Sequence, residues 1–134
     1  MNIAALMDEL GEALKSIEGL RVYPYYIDRV APPAAVVGWP EPITFDETFG
    51  RGSDRLTLPV HVVVGKVDAR SARDELSLFL AGSGPSSIKQ ALDNGTYLNA
   101  DAVTVREARV EVLTIAGIDY LSGVFDVDIY GSGS

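Results

Sequence analysis

The sequence has no cysteine and a single histidine, His61. The first absence excludes a disulfide scaffold and a thiolate zinc centre. With one imidazole, a metal site would have to be built almost wholly from carboxylates, and neither a metal nor another cofactor is expected. A basic cluster is also missing: 11 Lys and Arg stand against 19 Asp and Glu, for a formal charge of −8. DNA-backbone binding needs a patch that neutralises phosphates, so it is not expected here. No apolar run approaches the roughly 20 residues that cross a bilayer. The opening MNIAALMDELGEAL lacks the basic n-region of a signal peptide, so the expectation is a cytoplasmic product with no membrane partner.

What is present reads as a folded globule. A chain that is 47% hydrophobic and 22% charged is not disordered, and 134 residues can bury a core without staples. We expect one α+β domain over residues 1–130 with an extended loop at 40–55. The terminal GSGS, 131–134, reads as a flexible tail or an engineering scar.

Ile3, Leu6, Met7, Leu10, Ala13, Leu14 and Ile17 follow helical spacing, with Gly19 as the stop. Residues 20–27 carry Val22, Tyr23, Tyr25 and Tyr26, a strand that Pro24 demotes to an edge or a bend. A short strand over 34–39 follows. The clearest strand is LTLPVHVVVGKV, where Leu56, Leu58, Val60, Val62 and Val64 alternate with Thr57, Pro59, His61 and Val63. A capping box at Ser71 to Asp74 predicts a helix with Ala72, Leu76, Phe79 and Leu80 on one face. Pro85, as a first helical residue, predicts another through Ile88, Ala91 and Leu92 to Asn94-Gly95. Three strands close the chain, 102–105, 108–115 and 118–130, with a hairpin break at Ala116-Gly117 and a bulge at Gly123. The order α-β-β-(long loop)-β-α-α-β-β-β predicts an α+β fold, a mainly antiparallel sheet with helices packed on one face.

Catalytic patterns are missing. Gly65-Lys66 lacks the remaining residues of a phosphate loop, and Gly50-Arg51-Gly52 lacks those of a dinucleotide fingerprint. His61 has no nucleophile or second base at motif spacing. Asp126 and Asp128 share one strand face, which reads as a solvated row without a calcium-loop pattern. Asn94-Gly95-Thr96 matches a glycosylation sequon and reads here as a helix-stop turn. No enzyme is expected.

The informative stretch is WPEPITFDETFGRGSDRL. Its connection, residues 40–55, exceeds the ~12 to 15 residues of ordinary structureless loops. Ile43, Phe45 and Phe49 interleave there with Asp46, Glu47, Arg51, Asp54 and Arg55, as apolar anchors ringed by both charges. Such a segment suits docking on a neighbour, so Ile43, Phe45, Phe49, Arg51, Asp54 and Arg55 are the candidate interface residues.

The helix, LRVYPYYIDRVAPPAAVVGWP, the long loop before LTLPVHVVVGKVDARSARDELSLFL, SSIKQALD, and GVFDVDIYG together resemble tail terminator (tail completion) proteins of long, non-contractile-tailed bacteriophages, particularly those of actinobacterial hosts. The resemblance covers nearly the whole chain up to Tyr130 and is one of layout, since the family has no short diagnostic motif. It implies a structural virion protein that forms a homo-hexameric ring on the tail tube protein, ends elongation, and offers a surface to the head-side connector (stopper) protein. It implies a place at the head-proximal end of the tail, reached from the host cytoplasm, with a monomer before assembly as one possibility. DNA would pass through such a ring without specific binding, and Asp46, Glu47, Asp126 and Asp128 are the candidate lumen-facing acids. The rival readings are another head–tail connector or tube-like virion protein, and a small-ligand or enzymatic domain near His61 or the Asp126 and Asp128 face.

Overall fold

The computed structural model describes residues 2–24, 31–45 and 53–132. Helix α1, Ile3–Leu14, starts where the Asn2 side chain accepts a hydrogen bond from Ala5 N, satisfying one of the free donors of the first turn. Leu6, Met7, Leu10 and Leu14 line its buried face. It stops before the expected Ile17, and Gly19 closes a further turn instead of the helix itself.

Strands β1 (Arg21–Tyr23), β2 (Ala34–Val37), β3 (Ile43–Thr44) and β4 (Ser53–Lys66) precede helices α2 (Arg70–Phe79) and α3 (Ile88–Asp93). Strands β5 (Ala102–Ile115) and β6 (Ile118–Ser132) follow. The sheet has the order β1-β2-β4-β6-β5, with β3 added to β4 beyond the end of β2. The β1–β2 pair is parallel and every other described pair is antiparallel. Pro24 lies just past the edge strand β1, where a missing N–H costs no ladder bond.

The period-2 pattern of β4 sends Leu56, Leu58, Val60, Val62 and Val64 into one core with Val103, Val105, Phe125, Val127 and Ile129. Leu6, Leu10 and Leu14 of α1, Ala72, Leu76 and Phe79 of α2, and Ile88 and Leu92 of α3 close over the same face. The fold is therefore α+β, with the helices on one side of a mostly antiparallel sheet.

Several boundaries differ from expectation. The expected strands 102–105 and 108–115 are one strand, because a bulge between Val105 and Glu107 absorbs the change of phase. Gly123 sits in regular register; a Cβ there would lie 3.1 Å from Leu76 Cδ1, so it lets α2 approach the sheet. Ala69 caps α2 without a side-chain bond, which displaces the expected Ser71 box. Ser87, not Pro85, starts α3: its hydroxyl accepts from Gln90 N, and Gln90 Oε1 accepts from Gly84 N. Ala116 and Gly117, both at positive φ, make the hairpin turn that two-residue connections favour. Strand β6 takes in Gly131 and Ser132, the first half of the expected tail.

Candidate functional site

Chain beyond β2 follows β4 instead of leaving the sheet at once. Gly38 N donates to Pro59 O at 2.8 Å, Glu41 N to Thr57 O at 2.8 Å, and Thr57 N to Pro42 O at 3.2 Å. Ile43 and Thr44 then pair with Leu56 and Arg55. Pro40 and Pro42 cannot donate, so the pairing is interrupted between β2 and β3. The stretch 40–55 is thus not structureless throughout: its first limb lies along β4, and Ser53 to Arg55 already belong to β4.

This pairing sorts the candidate interface residues. Ile43 is half-buried and packs against the core, and Asp54 is 7% exposed. The Arg55 guanidinium lies 5.6 Å from the centroid of the Tyr130 ring and 3.4 Å from Asp128 Oδ2. Phe45 differs, being 70% exposed just past the last paired residue. Trp39 at 65% exposure flanks the other end of the same limb. Sequence reasoning placed Trp39 in a strand, though its position between Gly38 and Pro40 signals a break. Asp46, Glu47, Phe49 and Arg51 lie outside the described residues.

The sheet face opposite the helices carries the second group. Arg109 reaches Asp126 at 2.8 Å and Glu111 at 2.9 Å. Asp128 accepts from Thr57 Oγ1 at 3.0 Å and lies 3.8 Å from Arg106 as well as near Arg55. Both aspartates are mostly covered, with side-chain exposures of 14% and 13%. The expected solvated row is an ion-pair lattice of three strands. Arg106 and Arg109 are not among the sequence-predicted site residues, although the charged positions of β5 opposite acids in β6 carry the signal.

His61 stands on this face between Val36 and Val124 of the neighbouring strands, both buried. Burial lowers its pKa from the ordinary imidazole value; Glu111 and Asp126 pull upward and Arg109 downward, and the net shift is down. A shallow cleft of about 390 Å³, which His61 does not line, is bounded by Glu41, Pro42, Arg55, Thr57, Arg106, Arg109 and Asp126, whose charged atoms largely satisfy one another. Among the described residues no group of three or more His, Cys, Asp or Glu could hold a metal ion. No described helix is long and apolar enough to cross a membrane.

No family model matches the chain, and no curated protein matches its sequence.

Proposed function

We propose that the protein is a structural subunit of a phage tail that closes the head-proximal end of the tube as a ring, stops elongation, and presents a surface to the head-side connector. The observation that carries this reading is Phe45, a large aromatic held at the end of a paired limb and 70% exposed. Its own globule makes little use of that apolar surface, and aromatic anchors of this kind are typical centres of protein–protein contacts. A ring requires a head-to-tail interface, and an exposed aromatic on each subunit suits one. The formal charge of −8 supports passage of DNA without grip, since counterion-releasing contacts are unfavoured. Asp126 and Asp128 would meet DNA as members of arginine pairs, so a lumen formed by that face would present paired charge, not bare acid.

The test is tail length. Particles assembled without this chain should carry overlong tails that fail to join heads, and adding the chain should restore a uniform length. Normal tails on head-free or unfilled particles would favour a head-completion role instead.

A further inference from the structure

Leu98 is 91% exposed, and it is held in place. The Glu9 carboxylate of α1 accepts from Leu98 N, from Asn99 N at 2.9 Å and from Asn99 Nδ2 at 2.7 Å. On the other side Tyr97 Oη donates to Leu92 O at 2.6 Å. The fold thus fixes the backbone on both sides of an unburied leucine. Around it, the shallow surface formed with α1 is lined by Asp8, Glu9 and Glu12 and by no basic residue.

At the other end of the sheet lies a complementary surface. An open groove of about 620 Å³ runs between α2 and the β5–β6 hairpin, floored by Leu76, Leu80, Val110 and Leu121. Its lining includes one charged residue, Arg73, which also contacts Asp74 at 2.8 Å. Val110 is 55% exposed. Leu98 precedes the start of β5, whereas Val110 lies past its middle; between Val103 and Val110 the strand climbs roughly 20 Å. A subunit cannot fill its own groove across that span.

We propose that the Leu98 knob of one copy docks in the α2–hairpin groove of a second copy, with Asp8 facing Arg73; Glu12 is already paired with Lys15 at 2.7 Å. Apolar knob meets apolar groove, and a surface of acids meets one whose charged lining residue is basic, which fixes orientation as well as contact. Because the two surfaces differ and lie at opposite ends, the contact is head-to-tail and repeats from copy to copy. This deepens the ring reading by naming a second subunit contact, while its test needs no tail tubes.

The absence of cysteine makes the test direct. Leu98→Cys and Val110→Cys are introduced singly and together, each at an exposed position, and circular dichroism checks that the fold is kept. At chain concentrations on the order of 1 mM, where even weak interfaces are occupied, a short bismaleimide is added. The mixture of single variants should give a covalent dimer that neither gives alone, and the double variant should give a ladder. Leu78→Cys, exposed elsewhere on α2, paired with Leu98→Cys is the background control. Arg73→Asp should lower the cross-linking yield about tenfold, and Asp8→Arg added to it should restore the yield. No 98–110 product above the control overturns the inference. Product from a chain that leaves tail length unaffected removes the tail reading alone; restored tail length without product removes this contact alone.

Discussion

His61 and Glu9 make the stability of the protein depend on pH in two separate windows. Burial lowers the folded-state pKa of His61, so below the ordinary value of about 6.5 the unfolded chain binds the proton more readily. Stability due to His61 is complete above that value and is lost as pH falls through the lower folded value. Urea titrations between pH 7 and 5 should therefore show falling stability, and His61→Gln should flatten the slope. For Glu9, burial pulls upward, but hydrogen bonds from Leu98 and Asn99 outweigh it and hold the carboxyl below the usual range. Its contribution is present above the ordinary carboxylate value and disappears as pH falls through the depressed one. Glu9→Gln should remove a slope below about pH 4.5 and leave the His61 window untouched. Asp128 acts differently: replaced by asparagine, it can still accept from Thr57 Oγ1 through its amide oxygen, but Arg55 and Arg106 lose the carboxylate charge they share. Asp128→Asn should cost about 1–3 kcal/mol in denaturant unfolding, more than the same change at the exposed Asp68.

The elements explain what was legible in the sequence. Alternation in β4 and β6 and the helical spacing of α1 and α2 are strong signals because half of each element is buried, and burial is what the period records. The α+β order follows from them. Helix starts were less legible, because Ser71 and Pro85 offered plausible local chemistry while packing against the sheet set α2 and α3 at Arg70 and Ile88. Ser87 and Gln90 did carry a capping-box pattern. The candidate site was half legible: the exposed aromatic was anticipated, whereas pairing of the 41–44 limb depends on a partner strand distant in spacing and interrupted by prolines. Nor does composition reveal an exposed Leu98, since nothing local distinguishes it from a core leucine. Close packing of that limb gives an element-scale prediction. At Gly38 a Cβ would fall 2.9 Å from Pro59 Cγ and 3.1 Å from Pro59 O, so neither backbone nor ring can yield cheaply. Gly38→Ala should destabilise by about 1–3 kcal/mol, read as a lower urea midpoint at unchanged slope.

For the molecule as a whole, the division of labour is between two faces and two ends. Helices cover one side of the sheet and form the core, while paired charges occupy much of the other. At the sheet end where β4 begins, the limb holds the exposed Phe45; toward the opposite end, level with Val62 to Gly65 of β4, the α2–hairpin groove opens. A molecule with different sticky surfaces at different ends is suited to chains and rings more than to two-fold pairs. Phe45→Ala removes an exposed side chain, so its unfolding free energy should stay within about 0.5 kcal/mol of the parent. The decisive measurement is co-sedimentation of the parent chain and of Phe45→Ala with purified tail tubes. The account predicts that the parent saturates tube ends as a ring and that the folded variant stays largely in the supernatant. Equal binding by both, or binding by neither, would contradict it.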